Sequence, residues 1–192
     1  MAVGLAPGAS GAASLGLSAD QQRRLAAGEV VVLDTPPPGA SESAEGGTAV
    51  GLVRAAPERV WPVLVDYRGH PRYYPRVVSA ELVEADAHHA LVRYEVGVGP
   101  FTFSFHMIKY PDPIRRRIEW RLDPNHANSF FRENTGYWQV DPAEGGSRVT
   151  YAIGVRTILP GFATRGTARE SLGDTIRRLR TLVEDDKGPA TR

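Results

Sequence analysis

The chain has 192 residues, enough for one domain with a sizeable hydrophobic core and terminal tails. Its 23 basic and 22 acidic residues leave a net charge of +1, so nucleic acid is not an expected partner. Cysteine is absent, which excludes disulfides and thiolate chemistry. No apolar run approaches the roughly 18 residues that a transmembrane helix needs.

The N-terminal part of the chain is predicted to lie outside the main domain. Residues 1–17 are small and lack the basic start and apolar core of a signal peptide, so we expect a disordered tail. The expected location is the cytoplasm; the alternative is export, if this start is the remnant of a trimmed or misassigned leader. Ser18 and Gln21 match a capping box, which predicts a helix over about 19–27. With the strand and proline-rich loop that follow, this extension (18–47) either adds an edge strand to the domain or plugs one end of it.

Residues 48–185 are predicted to form a single domain. A strand at 48–54 precedes a helix that begins at Pro57, where the missing N–H of proline costs little. Six strands separated by tight turns are predicted next, at 77–85, 89–98, 101–110, 114–121, 130–141 and 147–157. A last helix over about 162–185 precedes a tail at 186–192, and its apolar face consists of Leu172, Ile176, Leu179 and Val183. This order predicts an α+β fold: a curved antiparallel sheet that grips the C-terminal helix, with a hydrophobic cavity between them.

Alternation along the strands predicts which side chains face that cavity. The inward face is rich in aromatic residues, namely Tyr94, Phe101, Phe103, Phe105, Trp120, Trp138 and Tyr151. The strand 114–121 is predicted to place Ile114 and Arg116 in phase with Trp120, and the strand 130–141 places Arg132 and Asn134 in phase with Trp138. A polar group on an apolar face needs a partner or water, which a ligand cavity offers. Each arginine either contacts a ligand or reaches solvent at the rim of the sheet.

No catalytic or metal site is predicted from the sequence. The five histidines show no metal-ligand spacing, and there is no nucleophile elbow, phosphate loop or dinucleotide fingerprint. No cofactor is therefore expected. His70 follows the first helix of the domain and is either a turn residue or a contact at the cavity mouth. His106 is predicted on the outer face of its strand, and His126 in a solvated loop.

The segment VRAAPERVWPVLVDYRGHPRYYPRV, residues 53–77, carries a family likeness. Its helix begins at Pro57, bears Val60, Trp61 and Leu64, and runs into Asp66-Tyr67 and a loop that ends at Tyr73-Tyr74-Pro75. This pattern resembles the opening of START-like (SRPBCC) helix-grip domains, in particular the polyketide cyclase/dehydrase and coenzyme-Q-binding branch. The resemblance covers about 48–185. It implies a hydrophobic pocket for lipids, quinones or polyketides, which some members use to catalyse aromatic ring closure.

The sequence therefore favours a protein that binds or transports a hydrophobic small molecule. The predicted ligand-binding residues are Tyr73, Tyr94, Phe103, Phe105, Trp120, Arg132, Asn134, Trp138 and Tyr151. Asn134, Arg132 and Tyr151 would orient a polar end of the ligand. The first alternative is a cyclase or aromatase that uses the same cavity. The second alternative is an interaction module with a solid core and a protein partner. A homodimer is also possible from the sequence.

Overall fold

The computed structural model describes residues 15–158 and 165–186, with the backbone alone for 165–169. Most of the predicted N-terminal tail, the predicted start of the last helix at 162 and most of the C-terminal tail lie outside the described residues. Within the described residues, no helix is long and apolar enough to cross a membrane.

The structure confirms the predicted α+β fold. The described residues form three α-helices, α1 (Ala19–Ala26), α2 (Pro57–Val65) and α3 (Arg165–Asp185), with a 3₁₀ helix (Tyr67–Arg72) after α2. The strands are β1 (Val31–Leu33), β2 (Glu45–Val53), β3 (Val77–Ala85), β4 (Ala90–Val98), β5 (Phe101–Asp112), β6 (Arg117–Leu122), β7 (Phe131–Ala143) and β8 (Gly146–Thr157). They form one antiparallel sheet in the order β1-β2-β8-β7-β6-β5-β4-β3. β1, from the N-terminal extension, pairs with β2 at the edge of this sheet.

Helix α3 packs on the sheet through the apolar face that its sequence predicts. Leu172, Ile176, Leu179 and Val183 are each at most 2% exposed. Side chains four and seven residues apart lie on one side of a helix, so this stripe meets the sheet along most of the helix. The helix approaches β2 closely at Gly51, where a Cβ would overlap the side chains of Ile176 and Arg180. Glycine at this position therefore permits the close contact between helix and sheet.

Helix α2 and the 3₁₀ helix bring the aromatic loop under the sheet. Val60 and Leu64 of α2 are fully buried in the core. Asp66 ends α2 and caps the 3₁₀ helix, since its side chain accepts a hydrogen bond from the Gly69 N–H. This turn directs His70 into the interior, where its side chain is 1% exposed. His70 is thus a core residue. It is neither the turn residue nor the contact at the cavity mouth that the sequence suggested.

The strand predicted at 114–121 begins three residues later, at Arg117. Ile114 and Arg115 form a turn in which both backbone N–H groups donate to the Asp112 carboxylate. Arg116 completes the turn with a φ of +49°, and its guanidinium pairs with Glu58 at 2.5 Å. The prediction that Ile114 and Arg116 face inward is therefore wrong; Ile114 is 92% exposed. Alternation failed here because these residues are outside the strand.

A bulge at the start of β7 changes the phase of the strand. The pairing of β7 with β8 shifts register between Phe131 and Glu133. One extra residue in a strand turns the side chains before it to the opposite face. Phe131 therefore faces the cavity, whereas Arg132 is exposed to solvent. Asn134, beyond the bulge, keeps its predicted inward orientation.

Candidate ligand-binding site

A cavity of about 190 Å³ lies between the concave face of the sheet and α3. Its wall is mostly apolar and includes Phe105, Met107, Trp120, Tyr151 and Leu172. The exposed Arg76 lies at its mouth, whereas Trp120 and Tyr151 are almost fully buried and form its inner end. Sites for drug-sized ligands usually measure about 300–1,000 Å³, so this cavity suits a compact molecule.

The structure brings five of the predicted ligand-binding residues together in the cavity wall: Tyr94, Phe105, Trp120, Asn134 and Tyr151. The other four, Tyr73, Phe103, Arg132 and Trp138, do not line it. Arg132 is turned away by the bulge in β7. For the five that line the cavity, contact with a ligand stays a prediction.

Tyr73, Trp138 and Phe103 lie one layer behind the wall. Tyr73 is fully buried, and its neighbour Tyr74 reaches the cavity in its place. Trp138 donates its indole N–H to the Tyr74 hydroxyl at 2.7 Å and stacks on Tyr151 with ring centroids 4.4 Å apart. Phe103 stacks on the lining residue Phe130 at 4.7 Å. These contacts hold the lining aromatics in place, so the three residues support the cavity. Phe101, also predicted to face inward, is instead 64% exposed at the start of β5, because the strand extends beyond the core there.

Lys109 is the polar side chain in the cavity wall that the sequence analysis missed. It lies on β5, is 4% exposed, and lines the cavity beside Trp120. The signal was present in the sequence, because Lys109 continues the alternation of Phe103, Phe105 and Met107 by one more step of two. The alternation alone did not assign Lys109 to the cavity, because lysine is rarely buried and usually lies on the solvent face or at the end of a strand.

The Lys109 amine sits among aromatic rings. Its Nζ lies 4.1 Å from the centroid of Trp120 and 5.3 Å from that of Tyr94. The faces of these rings attract a cation but provide no countercharge. Burial disfavours the ammonium form and lowers the pKa of Lys109 to about 7. At neutral pH the amine is therefore divided between its charged and neutral forms.

Two more polar groups adjoin Trp120. The Asn134 side-chain oxygen accepts the Trp120 indole N–H at 3.2 Å, which directs the amide NH₂ away from the tryptophan. Tyr151 stacks on Trp120 with ring centroids 5.8 Å apart, and its hydroxyl makes no hydrogen bond to any described residue. Burial raises the pKa of Tyr151 well above its usual value, so the phenol stays protonated.

Tyr94, in the cavity wall, forms a buried pair with His70, which lies behind it. The Leu64 carbonyl only accepts hydrogen bonds, so the Nε2 of His70, at 3.0 Å, donates to it. In a neutral imidazole the Nδ1 then accepts, and the Tyr94 hydroxyl donates to it at 2.8 Å. Burial, with a smaller contribution from the positive charge of Lys109, lowers the pKa of His70 to about 3, so the ring is neutral. The Tyr94 proton is thereby directed away from the cavity.

A second group of titratable side chains lies outside the cavity. His106 and His126 stack with ring centroids 4.0 Å apart, and His126 bonds to the buried carboxylate of Asp123 through its Nδ1. His126 is exposed in a loop, as the sequence predicts, and is also paired with Asp123. Among the described residues, no group of three histidine or carboxylate side chains is arranged to hold a metal ion.

Comparison with known proteins assigns the chain to a family. A family model described as polyketide cyclase / dehydrase and lipid transport matches residues 48–184. The chain belongs to this family. As a polyketide cyclase / dehydrase and lipid-transport domain, it carries α1 and β1 in front of the matched region. No curated protein matches it.

Solved structures share the fold of this polyketide cyclase / dehydrase and lipid-transport domain. TTHA0849 from Thermus thermophilus is 20% identical, with a TM-score of 0.64 over 73% of this chain and 98% of that chain. A STAR-related lipid transfer protein from Xanthomonas axonopodis is 18% identical, with a TM-score of 0.62 over 81% and 92%. The Zhui aromatase/cyclase from a Streptomyces species is 22% identical, with a TM-score of 0.52 over 71% and 86%. The predicted START-like assignment is thereby confirmed.

Proposed function

We propose that this domain binds a compact hydrophobic small molecule, of lipid, quinone or polyketide type, in the cavity between the sheet and α3. The main support for this proposal is the cavity itself, which has an apolar wall and a few polar groups around Trp120 at its inner end. Apolar walls supply affinity through burial, about 25 cal/mol per Å² of apolar area, and a few fixed polar groups orient the ligand.

Filling the cavity is expected to abolish binding. Val96 lines the cavity and is 8% exposed, so Val96→Trp places an indole in the space that a ligand would occupy. With the neutral probe N-phenylnaphthylamine, whose fluorescence rises in apolar surroundings, we expect the affinity to fall by about tenfold or more. Fluorescence titration gives the affinity, and circular dichroism checks that the variant is folded.

The matched control is Val78→Trp, which makes the same substitution on an adjacent strand. Val78 is 60% exposed and does not line the cavity, so this variant should bind the probe as the wild type does. Wild-type protein that leaves the probe unbound would contradict the proposal. Equal affinity of folded Val96→Trp and wild type would place the binding site elsewhere.

A cyclase- or aromatase-type enzyme is the second candidate, favoured by one observation. Tyr151 lines the cavity, and its hydroxyl has no hydrogen-bond partner among the described residues, so it is available to donate to a ligand carbonyl. Such a donor would polarise a ketone during an intramolecular aldol condensation, in which one C–C bond forms and one water is lost. The Tyr94 hydroxyl is less suited to this task, because its proton is bonded to His70.

If the protein is a cyclase, Tyr151→Phe should abolish turnover and leave binding intact. A suitable substrate is heptanedione with carbonyls at its second and sixth carbons, which closes to methylcyclohexenone with loss of water and gains ultraviolet absorbance. We expect the wild type to accelerate this closure over buffer and Tyr151→Phe to do so at least about a hundredfold less. No acceleration by the wild type, or full turnover by Tyr151→Phe that binds N-phenylnaphthylamine normally, would exclude this role for Tyr151.

A further inference from the structure

The charged groups in the cavity wall are all basic. Among the described lining residues, Lys109 at the inner end and Arg76 at the mouth are cationic, and none is Asp or Glu. The side-chain amine of Lys109 has no ion pair and no hydrogen bond with any described residue, and its contacts with charge-attracting groups are those with the rings of Trp120 and Tyr94. The inner end of the cavity thus holds a cation whose counterion the described protein does not supply.

The titratable neighbours of Lys109 do not become that counterion. Tyr94 on β4 and Tyr151 on β8 have pKa values well above the usual value because of burial, and burial raises that of Tyr74 beside them as well. His70, beneath Tyr94, is neutral. Among the described side chains of α3, those in the wall are Ser171, Leu172 and Thr175, which do not titrate. None of these described groups therefore supplies a negative charge at physiological pH.

A buried ammonium without an anion is unfavourable. An apolar side chain at this position would avoid that cost, so the presence of a lysine needs an explanation. An anion that enters with the ligand would restore the missing pair. The adjacent polar groups suit such an anion: the NH₂ of Asn134 and the hydroxyl of Tyr151 both donate hydrogen bonds, while the Asn134 oxygen is already used by Trp120. Such donors fit a carboxylate, which accepts hydrogen bonds and does not donate them.

We infer that the ligand is a hydrophobic carboxylic acid, whose carboxylate pairs with Lys109 at the inner end of the cavity while its apolar body fills the aromatic part. This inference rests on the proposed binding function and narrows its ligand class. The pairing keeps Lys109 charged, so a carboxylate that binds above the pKa of the free amine takes up a proton. Binding of an uncharged ligand of the same shape takes up none.

Naphthaleneacetate and naphthaleneacetamide provide the test, because they have nearly the same shape and differ in charge. Isothermal titration calorimetry of the wild type at about pH 6 should show the carboxylate binding roughly tenfold or more tightly than the amide. In Lys109→Met, a substitution of similar length, the carboxylate should lose this advantage and the amide should keep its affinity within about threefold.

Proton uptake is a second readout that needs no variant. At about pH 8 the free amine is mostly neutral, so wild-type binding of naphthaleneacetate should take up close to one proton. Titrations in phosphate and in Tris reveal the uptake, because the two buffers differ in ionisation enthalpy. Naphthaleneacetamide should show no uptake, and neither ligand should show any with Lys109→Met.

The charge-matched control is Arg121→Met, which removes one positive charge from the solvent-exposed outer side of β6 next to Trp120. It should keep the wild-type preference for the carboxylate. Equal affinities for acid and amide in wild-type protein that binds N-phenylnaphthylamine would overturn the inference and leave the proposed function standing. A preference that survives in Lys109→Met, or is lost in Arg76→Met instead, would also overturn it. Failure of all three compounds to bind would remove the proposed function and, with it, this inference.

Discussion

Replacing His70 with alanine is expected to lower the free energy of unfolding by about 3 kcal/mol at neutral pH. The imidazole is 1% exposed and touches the rings of Tyr67, Tyr73 and Tyr74. Its removal leaves a void in the core. It also leaves the Leu64 carbonyl and the Tyr94 hydroxyl without their partner. Urea unfolding followed by tryptophan fluorescence measures the change.

The pH dependence separates His70 from an ordinary core residue. Its pKa is about 3 in the folded protein and 6.5 in the unfolded chain, so between these values the unfolded chain holds one more proton. The stability from this group is therefore fully present above about pH 6.5 and falls by about 1.4 kcal/mol per pH unit below it. His70→Ala should lack this contribution, so its deficit relative to the wild type should shrink as the pH falls toward 4.

The control for this prediction is His89→Ala. His89 is 37% exposed and pairs with Asp86 at the surface, so its loss should change the free energy of unfolding by less than about 0.5 kcal/mol. Equal stability of His70→Ala and His89→Ala would show that the buried pair with Tyr94 contributes nothing. A deficit in His70→Ala that is constant with pH would mean that the histidine titrates normally in the fold.

Replacing Lys109 with methionine is expected to have the opposite effect and to raise the free energy of unfolding by roughly 2–4 kcal/mol at about pH 6. The wild type must bury an ammonium without an anion, and burial lowers the pKa of Lys109 from 10.5 to about 7. Methionine has a similar length and no charge to desolvate. Its thioether keeps a favourable contact with the Trp120 ring, which partly replaces the attraction of the cation.

The size of this gain should depend on pH in a defined direction. Below pH 7 both the folded and the unfolded chain are protonated at Lys109, and the folded wild type carries the full penalty. Between about 7 and 10.5 the unfolded chain holds one more proton, so wild-type stability rises with pH and the advantage of Lys109→Met shrinks. Urea unfolding at about pH 6, 8 and 9.5 tests this trend.

Arg121→Met serves as the control here too, and should change the stability by less than about 0.5 kcal/mol. A destabilised Lys109→Met would mean that the amine has a stabilising partner in the folded protein. Stabilisation by removal of a cavity residue is typical of functional sites, which sacrifice stability for binding or catalysis.

Much of the fold was predictable from local patterns. The capping box of Ser18 and Gln21, Pro57 at the first turn of α2, and the apolar face of α3 all occur where the sequence indicates. In β4 and β5 the alternation correctly assigned Tyr94 and Phe105 to the inner face. These features depend on neighbours within a few residues, so one sequence contains the information needed to find them.

The candidate site was predictable only in part. A strand pattern assumes an uninterrupted phase, and the bulge before Glu133 breaks it, so Arg132 points to solvent. Of two adjacent tyrosines, Tyr74 reaches the cavity and Tyr73 does not, which depends on the path of the 3₁₀ helix in three dimensions. Lys109 had the right phase, but a lysine in a strand ordinarily faces solvent.

The sequence by itself determined the order of elements, the antiparallel sheet gripping the last helix, and the aromatic character of the inner face, because periodicity and turn chemistry are local properties. The tertiary structure decided which of those side chains contact one another. It buried His70 against Tyr94 and enclosed Lys109 between Tyr94 and Trp120. These pairings join residues from three neighbouring strands and the 3₁₀ helix. The low dielectric that shifts their pKa values exists only once the sheet has closed over them.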